Sequence, residues 1–487
     1  MRRNIICEFR KFVANRAATA KAFGEDETGS LSTMSAVLIP MMLITGGMSV
    51  DFMRFESERI LLQDTADRAA LAAANLEFTE PGKGVELVRD FFRTAGLEQY
   101  LDGDPIVTES VNGRTVEVNV KRNLNTFFIK LAGIETLSAR AKSVATNGVG
   151  NVEISLVLDI SGSMSNPTYD ALGNPTGQTK MEALKRAATT FVETALQESN
   201  RDLVSISLVP YSQHVNPGET LFNSMSVNKL HDFSHCIDFA DADFATPGIS
   251  RTQTYQQAHH FDRFSGDAVM RYPNCADGPG QQITPLSQDK DELLAQIAQL
   301  VPTTQTSIHL GMKWGLALLD PSANDLVKGE LDPAFSTRPA PYAQNQDNSN
   351  GKTGTVKVIV VMTDGENTTS WSVRNEYYST PNDIQHWGTT PMPFWINNNA
   401  ASMSVNDLVT VNYTPAQGDQ LLKASCDTAK ANDIQVFSIA FEAPQRGIDA
   451  MSDCASGVNY FFNSNGAELE AVFQAIAQQV SDLRLTQ

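Results

Sequence analysis

The sequence predicts an α/β fold: a doubly wound parallel sheet from residue 151 onward, preceded by one membrane-spanning helix and a small α+β module. Three observations carry this expectation. After Asn151, short β-branched apolar runs alternate with helical stretches. Near the N-terminus, no charged residue occurs between Thr28 and Val50. Between these regions, alternating apolar and polar residues flank Asn112-Gly113.

The N-terminal elements come first. Residues 1–22 hold Arg2, Arg3, Arg10, Lys11, Arg16 and Lys21 against a single acid, Glu8. The apolar run that follows, Leu31 to Val50, is long enough at about 1.5 Å per residue to cross a ~30 Å hydrocarbon core. It is too long for the h-region of a cleaved signal peptide. The sequence therefore predicts a basic cytoplasmic tail (1–29), a transmembrane helix (30–50) and a large exported part. The cysteines fit this topology. Cys7 falls on the reducing side, and Cys236, Cys275, Cys426 and Cys454 fall where disulfides persist. Three pairings are possible; chain order favours Cys236–Cys275 and Cys426–Cys454.

Residues 51–150 read as a helical stalk and a small α+β module. Asp51 to Leu76 is alanine-rich and helix-forming, and residues 82–98 read as a second helix. Pro105–Val120 reads as a hairpin about Asn112-Gly113, because both turn positions need positive φ. Residues 124–133 are expected to be helical and 135–147 a further strand. The basic tail, Gly29-Ser30, the apolar span before Asp51, and Leu62-Gln63-Asp64-Thr65-Ala66-Asp67 running into AALAAA form a recognisable order. It resembles the N-terminal module of TadG-like proteins of the tight-adherence (Flp pilus) system, closely over 28–77 and loosely over 78–150. Pseudopilins of that system carry Glu five residues after a processing glycine; here that residue is Met34, which predicts a retained anchor.

In the large region, the runs Ile154–Ile160, Leu203–Tyr211, Val356–Asp364 and Ile434–Phe441 are apolar almost throughout. Such runs belong to strands covered on both faces, as in a parallel sheet. Helical patterns fall at 180–197, 290–300, 306–319, 418–431 and 466–483. Ligands of such sheets bind beyond the carboxyl ends of the strands. Two of these strands end in aspartate, Asp159 and Asp364. Asp159, Ser161 and Ser163 alternate, and Thr306 precedes a helix in a third loop. Carboxylate and hydroxyl oxygens without His or Cys suit a hard cation such as Mg²⁺. The competing structural roles are helix N-caps for the serines and a turn for Asp364.

The five residues match the pattern Asp-x-Ser-x-Ser, distant Thr, distant strand-terminal Asp. This resembles the metal-ion-dependent adhesion site of the von Willebrand factor A domain. The resemblance covers residues 151–485 and implies Mg²⁺ (or Mn²⁺) as the ion. It implies direct ligation by Ser161 and Ser163, direct or water-mediated ligation by Thr306, and largely water-mediated roles for Asp159 and Asp364. It also implies a protein partner whose carboxylate completes the octahedron. Stretches 166–179, 212–287 and 365–416 read as insertions near the expected metal rim, where they would shape a partner groove.

Other signals are weaker. A zinc site from His231, His235, Cys236 and His259-His260 competes with a disulfide-stabilised loop, which is preferred. Gly351-Lys352-Thr353 lacks the leading glycine of a P-loop, since Gln346 stands there. Asp238, Asp241 and Asp243 read as a solvated acidic turn rather than a Ca²⁺ site. No HExxH or GxSxG occurs, and no nucleophile–base set supports a hydrolase in the insertions. The net charge of −19 argues against nucleic acid as a partner. Residues 1–30 hold six bases and four acids; the remainder holds 31 and 52. An acidic partner group would therefore need a cation as bridge. The expectation is a non-enzymatic binding protein, anchored in a bacterial inner membrane with its large domain extracytoplasmic, acting in pilus assembly with other pilus components. The alternative is a surface adhesin for host or matrix protein, using the same site.

Overall fold

A computed structural model of the chain describes residues 30–75, 83–110, 113–148, 151–170, 172–197, 202–329, 337–342, 354–400 and 402–485. The expectations for the basic tail, for Cys7 and for Asn112 lie outside these residues. The described residues form two compact units, one of residues up to Glu109 and Arg114–Asn147, and one from Gly148 onward together with Ser110 and Gly113.

In the first unit, helix α1 runs unbroken from Ser30–Ala74, so the apolar run and the alanine-rich stretch are one rod. It is long and apolar enough to cross a membrane. Helix α2 (Lys83–Thr94) packs on its C-terminal half. Strands β1 (Ile106–Ser110), β2 (Gly113–Asn125) and β3 (Thr136–Gly148) form a three-stranded sheet in that order. Small residues on one stripe of α1 (Ala66, Ala69, Ala70, Ala73) allow close packing, and Val88, Phe92, Val116 and Val118 fill the core they face. The helix expected at 124–133 does not form. The alternation that makes β2 a strand continues to Asn125, and only one tight turn (Ile129–Ala132) fits before Gly133, whose φ of 87° ends it. So short a stretch cannot offset the cost of nucleating a helix.

The second unit is built on a six-stranded sheet. Its strands are β4 (Val152–Asp159), β5 (Val204–Tyr211), β6 (Thr284–Ser287), β7 (Val356–Thr363), β8 (Gln435–Phe441) and β9 (Phe461–Ser464). The order is β6-β5-β4-β7-β8-β9, so β4 and β7 lie at the centre. Five strands are parallel; the edge strand β6 runs antiparallel to β5. The sheet is therefore mixed rather than wholly parallel. Strand β6 belongs to the end of the stretch read as an insertion, and its sequence TPLS carries too little apolar alternation to mark a strand. The chain returns along an open sheet edge, where antiparallel pairing costs nothing in topology.

Helices α3 (Lys180–Ala195), α4 (Lys290–Gln299) and α8 (Leu469–Leu485) cover one face of this sheet, against Ile154, Leu156, Leu158 and Val360. Helices α5 (Ile308–Ala317), α6 (Pro415–Ala431) and α7 (Gln445–Cys454) cover the other, against Val157, Val209 and Val361. The period-two alternation along each strand thus feeds two cores. Helix α5 sits unusually close. A Cβ on Gly315 would lie 2.5 Å from a Val157 methyl, and one on Gly311 would lie 2.6 Å from the Tyr211 ring. Helix α3 begins with a capping box. Thr179 Oγ1 accepts from Glu182 N (3.2 Å) and Glu182 returns to Thr179 N (2.8 Å), a contribution of about 1 kcal/mol.

Among the described residues, the three inserted stretches carry elements of their own. Short strands over Pro167–Tyr169 and Pro175–Thr179 pair antiparallel. The stretch after β5 is tied by a Cys236–Cys275 disulfide and by Lys313, whose ammonium donates to Thr246 O and Gly248 O at 2.8 Å each. The stretch after β7 folds around its own core of Val373, Tyr378, Trp387, Met392 and Leu408. A second disulfide, Cys426–Cys454, joins α6 to α7. Both links agree with the chain-order pairing.

Candidate metal centre

The site forms where β4 and β7 end. Strand β4 delivers Asp159 to the sheet rim, fully buried. The next residue stays in register: Ile160 N donates to Tyr211 O (2.8 Å) and Thr303 N donates to Ile160 O (2.7 Å). The chain then turns, and Ser161 N donates back to Asp159 Oδ1 (2.7 Å). A tight turn over Gly162–Ser165 brings Ser163 round. Ser161 Oγ and Ser163 Oγ lie 3.0 Å apart, and Ser163 Oγ donates to Asp364 Oδ1 (2.6 Å). Two loops separated by 201 residues in sequence therefore meet through one hydroxyl.

Asp364 follows the last residue of β7 and is also buried. The preceding Thr363 hydroxyl donates to Asp159 Oδ2 (2.7 Å) and accepts from Gly365 N (3.1 Å), which locks the two strand ends together. Thr306 comes from the loop before α5. Its backbone is held by Thr368 in both directions: Thr368 N donates to Thr306 O (2.9 Å) and Thr306 N donates to Thr368 Oγ1 (3.0 Å). Thr306 Oγ1 and Ser163 Oγ both lie within 4 Å of where a Cβ on Gly365 would sit, so the two hydroxyls converge on that glycine. Thus all five residues expected from the sequence come to one place. Thr304, at φ 33°, shapes this loop in a conformation β-branched residues rarely adopt.

The electrostatics are those of an incompletely compensated anionic pair. Burial, reinforced by the charge of Asp364, pushes the Asp159 carboxyl up to about 7. Asp364 Oδ2 is buried and accepts no hydrogen bond, while the Lys180 ammonium stands 3.1 Å from it. Lys180 also donates to Glu442 O (3.3 Å), and its ammonium lies 4.0 Å from Glu442 Oε2. Glu442 Oε1 is held by Tyr169 N (2.8 Å) and Gly466 N (3.0 Å).

The donor chemistry fits a hard cation. Two carboxylates and three hydroxyls gather there, and the one carboxylate oxygen that accepts no hydrogen bond, Asp364 Oδ2, has only the Lys180 ammonium beside it at 3.1 Å. Among the described residues, no group of three or more His, Cys, Asp or Glu side chains gathers as a metal site. The sequence pattern did not flag Lys180, Thr363, Thr368 or Glu442. Lys180 occupies the first position of a capped helix, and nothing in its spacing distinguishes it from a solvated lysine.

The rejected signals stay apart from this centre. Cys236 is in a disulfide, His231 Nε2 pairs with Ala258 O (3.0 Å), and His260 Nδ1 pairs with Ser234 Oγ (2.8 Å). Asp238 pairs with His214 Nε2 (3.0 Å) and Asn412 Nδ2 (2.9 Å). Gly351-Lys352-Thr353 lies outside the described residues.

No curated protein matches the chain. Among solved structures, the chain is similar to the vWF domain of the type V pili tip protein Mfa5 from Porphyromonas gingivalis. That likeness has 15% identity and a TM-score of 0.35, over 70% of this chain and 97% of that one. It is also similar to the pilus adhesin SpaC from Lactobacillus rhamnosus GG, at 12% identity and a TM-score of 0.32, over 77% of this chain. The chain spans about a third of SpaC, 34% of its length. The PilB minor pilin from Streptococcus sanguinis is a further neighbour, at 15% identity and a TM-score of 0.33, over 79% of each chain. Residues 29–76, the apolar and alanine-rich stretches, match the family described as putative Flp pilus-assembly TadE/G-like.

Proposed function

We propose that the chain is a membrane-anchored binding protein of Flp (tight-adherence) pilus assembly, with a doubly wound von Willebrand factor A domain that grips a protein partner through Mg²⁺. The N-terminal family match supports the pilus association. The observation that carries the binding mechanism is the Ser163 hydroxyl, which touches both Ser161 Oγ (3.0 Å) and Asp364 Oδ1 (2.6 Å). The apolar helix α1 supports an anchor, and the basic residues that precede it support the large unit on the extracytoplasmic side.

In this reading Ser161, Ser163 and Thr306 would hold the ion through hydroxyls, and Asp159 and Asp364 would balance its charge. When bound, Mg²⁺ supplies an electrophilic position for a carboxylate oxygen of the partner. Thr363 and the Ser161 backbone hold Asp159, so the donor set is oriented before the ion arrives. The inserted stretches 166–179, 212–287 and 365–416 would frame the partner.

The test is in-cell crosslinking from a photoreactive residue at position 165, followed by mass spectrometry, in wild type and in Ser163→Ala. Pilus components captured by wild type and lost in the variant support the proposal. Capture of matrix or host protein instead assigns the same site to a surface adhesin. Capture unchanged by Ser163→Ala rules out the metal-dependent mechanism.

A further inference from the structure

The turn between β2 and β3 carries large apolar side chains that its own unit does not cover. Phe127 is 64% exposed, Leu131 73%, Ile134 48% and Phe128 38%. Four such side chains within eight residues are unusual on a soluble surface, where scattered single ones are normal.

The position of this turn along α1 is informative. Phe128 packs on Gly47: a Cβ there would lie 2.2 Å from the ring. Asp51, one helical turn further on, accepts hydrogen bonds from the backbone N–H groups of Phe127 (3.0 Å), Phe128 (2.6 Å) and Ile129 (2.9 Å). Thr126 closes the base, its N donating to Glu135 O (3.0 Å). The turn is therefore clamped to α1 where the uncharged run ends at Val50. Counting ~20 residues at about 1.5 Å from Leu31, that level is the boundary of a ~30 Å hydrocarbon core.

The polar groups nearby suit a lipid headgroup region. Arg54 lies over the Phe127 ring, 4.4 Å from its centroid, and Lys130 sits within the turn. Aromatic rings with adjacent cations are the composition of a membrane–water interface. Of the two acids at the turn, Asp51 has its side chain almost wholly buried and is covered by three N–H groups, so its charge is not offered to the surface, while Glu135 is exposed at the base beside Thr126, beyond the apolar side chains. On the helix itself, Val50, Phe52 and Met53 extend the apolar band past the charged residue.

We infer that the Phe127–Ile134 turn is a second membrane contact, a wedge that inserts Phe127 and Leu131 into the outer boundary of the bilayer beside the helix. This rests on the reading of α1 as a span. Its consequence is a first unit held at a set height and tilt rather than swinging on a single helix.

The test uses the full-length chain in nanodiscs of phosphatidylcholine and phosphatidylglycerol. They include a phosphatidylcholine with a diazirine near the glycerol end of one acyl chain. After irradiation, peptide mapping should find lipid adducts on the Leu31–Val50 stretch and on the Phe127–Ile134 turn. The double variant Phe127→Ser, Leu131→Ser should lower adducts on the turn about tenfold and leave those on the helix unchanged. Both side chains are exposed, and an unchanged circular dichroism spectrum confirms that the variant folds. Adducts on the helix with none on the turn overturn the inference alone. Absence of adducts on Leu31–Val50 overturns the membrane span and the inference with it.

Discussion

The two central strands carry ionisable groups at both ends, and the ends differ. At the amino ends, Glu153 of β4 and Lys357 of β7 face each other in register. The Lys357 ammonium donates to Glu153 Oε2 (2.6 Å) and to Leu319 O (2.8 Å), and Glu153 Oε1 accepts from Ala340 N (2.8 Å). Both side chains are buried, and the charges cancel. At the carboxyl ends, Asp159 and Asp364 bring like charges together. Lys180 offsets one of them, and one carboxylate oxygen accepts no hydrogen bond. The same sheet thus uses burial in two ways. A closed ion pair completes the fold; in the proposed function, the open like-charge pair keeps a place for a cation.

The largest expected effect lies at the closed end. Lys357→Met leaves Glu153 buried without its partner and should cost about 3–5 kcal/mol in urea unfolding. Mn²⁺ affinity should stay within about twofold of wild type, because the change is at the far end of the strands. A large loss of affinity would show that the two ends are coupled.

Next is the pH response of the open end. Asp159 is raised from 3.8 to about 7, so the native state holds that proton more tightly than the unfolded chain. The associated stability is present below pH 3.8 and is lost as pH rises through about 7. In chelator, unfolding free energy should therefore fall on the order of 2–4 kcal/mol across this window. Asp159→Asn should flatten the fall and abolish Mn²⁺ binding; a wild-type profile in the variant would remove Asp159 as its source.

Lys180 tests how far the open end is compensated. Counting Asp159, Asp364 and Glu442 against Lys180, the cluster of three acids and one base would be balanced by one divalent ion. Lys180→Met should tighten Mn²⁺ binding about tenfold, or ~1.4 kcal/mol, and lower metal-free stability. Lys180→Arg should behave like wild type. Calorimetric titration of the full-length chain in detergent reads this directly, and equal affinity in all three would leave Lys180 without a role in the site.

The smallest change is Thr306→Ala. Its backbone is held by Thr368, so unfolding should shift by no more than about 1 kcal/mol while Mn²⁺ affinity weakens several-fold. A large loss of stability would mark Thr306 as structural instead.

Much of this was legible in residues. The apolar runs marked β4, β5, β7 and β8 because each is covered on both faces. Strands β6 and β9 escaped notice, since each has four residues and joins the sheet only by lying at an edge. The five oxygen donors were legible because strand-terminal aspartates and alternating serines stand out against apolar neighbours. Lys180 and Thr363 were not, because their roles depend on partners 184 and 204 residues away in the chain.

By itself, then, the sequence determined the apolar N-terminal helix, the covered strands, the donor types and the four cysteines available for pairing. Local composition suffices for these, since charge, branching and periodicity act over a few residues. Only the tertiary structure decided that the sheet has an antiparallel edge, that Lys180 stands against Asp364, and that an exposed aromatic turn is clamped to the end of the apolar run. Those follow from packing distant segments at contact distance, and no local pattern encodes which distant group will arrive.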